Sequence, residues 1–95
     1  MAAYVITRIN VTDPAQYEEY KKLSPGAAAA HGGKFIVRGG ESVTLEGPIE
    51  DRRLVVLEFP DIDSAKAFYD SELYVQARAV RAGAAEFQMV AVEGA

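Results

Sequence analysis

Between residues 4 and 11 apolar and polar positions alternate: Val5, Thr7, Ile9 and Val11 fall on one side of an extended backbone, and Tyr4, Ile6, Arg8 and Asn10 on the other. That period of two predicts a half-buried strand. The rhythm then lengthens. Asp13 suits a helix N-cap, Pro14 the first helical position, and Gln16 completes a capping-box spacing, so a helix should follow. Its inward stripe reads Tyr17, Tyr20, Leu23, Ala27 and Ala30 or His31, with a recapped kink at Ser24-Pro25 and an end at Gly32-Gly33.

Alternation returns at Lys34 to Arg38, setting Phe35 and Val37 against Lys34, Ile36 and Arg38, and Gly39-Gly40 closes that strand. Residues Glu41 to Glu50 read as a protruding hairpin or arm, because the short β-prone Ser42 to Leu45 is broken by Gly47-Pro48. A third strand, Arg53 to Phe59, separates Val55, Leu57 and Phe59 from Leu54, Val56 and Glu58. Asp61 then caps a helix with Ile62, Ala65, Phe68 and Tyr69 inward. Ser71 recaps it, Tyr74, Ala77, Arg78 and Arg81 continue the stripe, and the helix ends near Gly83. The last strand, Glu86 to Val92, sets Phe87, Met89 and Ala91 against Gln88, Val90 and Val92.

This order predicts an α+β fold of the ferredoxin-like βαββαβ kind, a four-stranded antiparallel sheet with both helices on one face, as one domain over residues 1–95. One face of every strand is almost wholly apolar and takes the helices. The other mixes Tyr4, Ile6, Ile36, Leu54, Val56, Val90 and Val92 with Arg8, Lys34, Arg38, Glu58 and Gln88, too apolar for water and too polar for a plain core. A second copy covering it would make a homodimeric α/β barrel with a partly charged lumen. If the first and third strands run parallel, Arg8 and Glu58 share one end with Lys34 and His31, and Arg38 lies toward the other.

Composition narrows the partners. With 95 residues and a net charge of −4, and with its Lys and Arg scattered, the chain lacks the basic footprint that draws nucleic acid or anionic lipid, so neither is expected as a partner. No cysteine is present, which suits a reducing compartment, and no apolar run approaches the ~20 residues of a membrane span. The expectation is a soluble cytoplasmic protein. There is no GxGxxG, Walker or GxSxG spacing, and one histidine without cysteine makes a poor metal site, so neither metal nor cofactor is expected.

Chemistry then rests on few side chains. His31, the one histidine, is the candidate acid or base, because imidazole as a group can exchange a proton near neutral pH; the structural alternative is a basic group at the negative end of a helix. Arg8, Lys34 and Arg38 are candidates to hold a substrate anion, with Glu58 beside them and the Tyr69 hydroxyl reaching toward the lumen. Ion pairing of Arg8 and Arg38 with Glu58 is the competing account. Tyr17, Tyr20 and Tyr74 fall on helical apolar stripes and read as core edges.

The segments "AAYVITRINVTDPAQYEEYKKLSP", "AAHGGKFIVRGG", "RRLVVLEFPDIDSAKAFYDSELY" and "VAVEG" resemble the small bacterial proteins of domain-of-unknown-function family 1330, in the dimeric α/β-barrel superfamily. His31-Gly32-Gly33, Arg38-Gly39-Gly40 and Leu57-Glu58-Phe59-Pro60 carry the likeness. It departs at Glu72-Leu73, where the family has proline and then glutamate after the serine. The resemblance implies a homodimer and brings no substrate. The mixed face points to a small, anionic, partly apolar molecule in the lumen. Within the superfamily's range, the alternatives are a cofactor-independent oxygenase or isomerase with His31 as proton shuttle, and a non-catalytic structural or stress-associated dimer.

Overall fold

Three capping side chains fix where the helices begin in the computed structural model, which describes residues 1–95. Asp13 accepts from the Gln16 backbone N–H, Asp61 from that of Ser64 and Ser71 from that of Tyr74, opening α1 (Pro14–Ala29), α2 (Ile62–Asp70) and α3 (Glu72–Arg81). The Ser64 N–H holds the Asp61 carboxyl below the usual carboxylate range. Gln16 does not reciprocate to Asp13. Its amide instead donates to the Val80 and Ala82 carbonyls at 2.7 and 3.0 Å, tying the start of α1 to the end of α3.

Helix α1 runs unbroken through Pro25, so Ser24 does not recap it but packs into the core. The proline lacks the N–H that would reach the Lys21 carbonyl four residues back. Arg38 supplies a donor instead, its Nη2 lying 3.4 Å from that oxygen. Burial of Ser24 rotates the stripe, leaving Leu23 44% exposed. The helix closes on Gly32, whose φ of +75° suits glycine alone, with Gly32 N–H donating to Ala29 and Gly33 N–H to Ala28.

The strands are β1 (Ala3–Val11), β2 (Lys34–Arg38), β3 (Arg53–Phe59) and β4 (Ala85–Glu93), in sheet order β2-β3-β1-β4 with every neighbouring pair antiparallel. This corrects the parallel pairing of the first and third strands. Since the β2–β3 connection reverses the chain, β3 must oppose β1, and Glu58 lies opposite Tyr4 while Arg8 lies opposite Leu54.

A second correction lies in β2. Its register slips between Phe35 and Val37, so Val37 pairs with Val56 and Arg38 with Val55. Such a bulge exchanges the faces of everything beyond it. Val37 therefore joins the open face and Arg38 the helix face, opposite to simple alternation. Residues 41–50 form no hairpin; they are an irregular arm exposing Val43, Leu45 and Ile49.

The helices and one sheet face enclose a single core, with Phe59, Phe68 and Tyr74 fully buried and Val5, Ile9, Val55 and Leu57 beneath them. The other face has nothing over it. Val37, Val56, Ile6 and Val90 form a row straight across all four strands of that face. The Cα envelope is accordingly a slab of 34 × 32 × 16 Å. Its accessible surface is 5819 Å². A folded chain of this 10.3 kDa mass should expose roughly 5,400 Å².

Candidate functional site

The antiparallel register separates side chains that a parallel one would gather. On the open face Lys34 and Glu58 meet at 3.2 Å, at the end of the sheet where the chain emerges from His31. Arg8 stands four residues along β1 from the partner of Glu58, and its Nε instead donates to Glu50 Oε1 at 2.7 Å. Each of these cations is thus paired with a carboxylate, Lys34 with Glu58 and Arg8 with Glu50, which Arg52 shares. The predicted cluster of Arg8, Lys34, Glu58 and His31 does not form.

The His31 side chain makes no hydrogen bond, and its neighbour Gly32 packs against Pro60. Arg38 and Tyr69 lie on the helix side of the sheet, so neither reaches the open face. Tyr69 is half-exposed on α2, with its ring 4.1 Å beneath the Arg78 guanidinium and its hydroxyl accepting from Arg78 Nη1 at 3.1 Å.

Glu50 anchors the arm. The Arg52 side chain is the main cause, with Arg8 and the Arg52 backbone N–H adding and desolvation opposing, that its carboxyl is lowered from 4.5 to about 2. A carboxyl depressed on folding stabilises above its unfolded value and loses that contribution as pH falls toward its folded one. The difference in urea midpoint between wild type and Glu50→Gln should therefore be largest above pH 4.5, shrink down to about 2 and vanish below it. Unfolding curves at half-unit pH steps measure it.

Hollows of about 370 and 500 Å³ border Arg8 on the open face and beneath the arm, and a further space, the more apolar one, lies on the helix side. A cleft of about 440 Å³ opens over β4, walled by Phe87, Met89 and Ala91 of that strand, by Phe68 and Tyr69 of α2, and by Arg81 at the end of α3. It exists because α2 and α3 are short and turn against each other at Ser71, leaving the helix-side face of the edge strand only partly covered. Apolar walls with a few polar groups are the usual make-up of a small-molecule site. Lys66 and Asp70 stand at its rim.

Arg81 is the unusual member. Its guanidinium lies 3.6 Å from the Phe87 ring centre and 5.5 Å from that of Tyr20, and its Nε is buried with no hydrogen-bond partner. No carboxylate pairs with it. Leaving a buried donor of a charged group unmatched costs about 1–3 kcal/mol or more, and a bound anion would remove that penalty.

Behind the cleft, sharing Phe68, Phe87 and Met89 with it, lies a small, partly open cavity of about 20 Å³, space for one water. Thr7 Oγ1, buried without a protein partner, borders it. Tyr20 and Tyr74 touch it with their hydroxyls 2.6 Å apart, and Tyr74 in turn donates to Met89 Sδ at 3.6 Å. Burial pushes the Tyr20 phenol up, Tyr74 adds to this, and the Arg81 charge opposes it. Tyr20 therefore stays protonated at neutral pH and serves as a hydrogen-bonding group, not a base.

The cleft was missed in the sequence although its signal was present. Arg78 and Arg81 fall on the same stripe as the buried Tyr74 and Ala77, an odd place for two cations with no acidic residue at helical spacing to meet them. Arg78 is absorbed by Tyr69, donating to its backbone carbonyl as well as its hydroxyl. Arg81 is not.

Sheet order, antiparallel register and helices on one side define a ferredoxin-like α+β protein. The model of the family described as domain of unknown function DUF1330 matches residues 2–95, and the chain belongs to that family. No curated protein matches it at a significant level.

Among solved structures, a protein of unknown function from Rhodopseudomonas palustris is similar, with a TM-score of 0.76 at 17% identity, covering 99% of this chain and 82% of that one. A dimeric ferredoxin-like protein of unknown function from Jannaschia sp. CCS1 gives 0.74 at 16%, over 99% of this chain and 100% of that one. SnoaB, a cofactor-independent oxygenase from Streptomyces nogalater, gives 0.70 at 12%, over 99% and 93%. At such identities the likeness is one of fold. No helix is long and apolar enough to cross a membrane.

Proposed function

We propose that this chain is the subunit of a homodimer that binds a small, anionic, partly apolar molecule in the cleft over β4, with Arg81 as its anchor. The observation that carries this reading is the part-buried Arg81 guanidinium, stacked on Phe87 and left without any acceptor inside an apolar cleft of about 440 Å³. The site moves from the lumen side of the sheet to the helix side because the open-face cations, Arg8 and Lys34, are already paired. Those pairs suit an interface, where they neutralise the face and fix register. The uncovered row of Val37, Val56, Ile6 and Val90 supports a second copy there, as do relatives of the same fold described as dimeric.

A titration with 2-naphthoate, against neutral 2-naphthamide, tests the reading. Naphthoate should shift the backbone amide resonances of Arg81, Phe87 and Met89, and Arg81→Met should weaken its binding by roughly tenfold or more, the worth of a charge-assisted hydrogen bond. Equal binding of the amide, or shifts gathered at Arg8 and Lys34, would overturn it.

A catalytic version, the cofactor-independent oxygenase or isomerase, is supported by the fold shared with SnoaB. His31 stands outside the cleft, so a proton shuttle through it loses its geometry; Tyr69, Lys66 and Asp70 are the titratable side chains that line it beside Arg81. Oxygen uptake on adding an electron-rich aryl carboxylate, absent in Arg81→Met, distinguishes turnover from simple binding.

A further inference from the structure

A second group of cations lies at the other side of the core, where α1 passes β2 and β3. Lys21, Arg38 and Arg53 border the small cavity from that side, Lys21 and Arg53 beside the ring of Tyr17 and Arg38 over that of Phe35. The Lys21 ammonium is 5.8 Å and the Arg53 guanidinium 5.9 Å from the centre of that ring. Arg38, its guanidinium 4.5 Å from the centre of the Phe35 ring, donates to the Lys21 backbone carbonyl, which holds it against the same turn of α1.

Arg53 donates no hydrogen bond, and its Nε is buried. Its guanidinium is laid directly on Gly39, where φ is +71° and a Cβ would collide with it, so the backbone is shaped to admit the arginine. Neither Arg38 nor Arg53 forms an ion pair. The one carboxylate that pairs with the group is Glu18, 2.9 Å from Lys21, whose hydrogen bond holds the Glu18 carboxyl below its usual range while Arg53 adds to the effect. Three cations against one carboxylate leave two positive charges uncompensated, in a chain whose net charge is −4.

We infer that Lys21, Arg38 and Arg53 form a binding site for the dianionic phosphate group of a small phosphate monoester, separate from the cleft at Arg81. Two guanidinium forks and an ammonium match three phosphate oxygens, and the dianion matches the uncompensated charge. The cavity beneath has space for only one water, so the ester's organic part points outward, toward solvent. A carboxylate carries half the charge and ranks lower at this site. Nothing here depends on the Arg81 cleft.

Calorimetric titration with inorganic phosphate at pH 8, where it is dianionic, with ionic strength fixed by sodium chloride and acetate as comparison, tests the inference. Phosphate should bind at least tenfold more tightly than acetate. Arg53→Gln should weaken phosphate binding about tenfold, and Glu18→Gln, which removes the competing carboxylate from an exposed helix face, should tighten it several-fold. Lys22→Gln removes a neighbouring charge outside the group and should change the affinity less than twofold. Equal weakening by Lys22→Gln and Arg53→Gln, or no change in Glu18→Gln, would show diffuse charge instead of a site and overturn the inference. Should Arg53→Gln fail to fold, the opposite-signed effect of Glu18→Gln still decides. Naphthoate shifts at Arg81 report on the cleft alone, so the two readings fail independently.

Discussion

Tyr74→Ala should cost about 3–5 kcal/mol, the range for aromatic truncation in a packed core. That is a large part of the whole stability of a domain this size, typically ~5–15 kcal/mol. Tyr74 is fully buried, its ring 4.3 Å from Phe68 and 6.2 Å from Tyr20, and it joins α3 to both. Truncation opens a void among rings that cannot collapse into it and strands the Tyr20 hydroxyl away from water. Tyr74→Phe keeps the volume and removes only the hydroxyl, and should cost about 1–3 kcal/mol. Urea unfolding followed by circular dichroism separates the two. Equal losses would show that the hydroxyl pair, not the packing, carries the effect.

Val56→Asp should turn the proposed dimer into monomers at micromolar concentration while leaving the subunit folded. Val56 sits in the middle of the aliphatic row on an open face, so a lone subunit solvates the new carboxylate. In a two-fold dimer the substitution is present in both subunits, so two unpaired carboxylates lose their water in the interface. Such burial costs several kcal/mol, a hundredfold or more in the dissociation constant. Sedimentation velocity at several loadings reads this directly. A wild type that sediments as a monomer would remove the dimer, and a dimeric Val56→Asp would place its interface elsewhere.

Features governed by neighbouring residues were legible in the sequence. The N-caps Asp13, Asp61 and Ser71 appear where short polar side chains precede apolar periodicity, and β2 and β3 have the predicted bounds. What escaped depends on contacts between distant segments. Strand direction follows from how the β2–β3 connection folds back, and it separated Arg8 from Glu58. The burial of Ser24 in place of Leu23 is set by how α1 lies on the sheet, which periodicity alone does not give. The cleft escaped because cations on an apolar stripe read as a wet helix edge until the strand beneath them is placed. Arg81 shows the cost of that reading: its position over Phe87 spans the α3–β4 connection.

The extra residue in β2 bears on more than geometry. Since Arg38 reaches α1 only because the register slips between Phe35 and Val37, the same chain paired without that slip would hand that guanidinium to the opposite compartment of the molecule. Composition would not change, yet the Lys21 carbonyl would lose its donor and the exposed aliphatic row would gain a charge. Within a lineage built on this scaffold, the presence or absence of one bulge is thus enough to redistribute electrostatics between assembly and ligand capture.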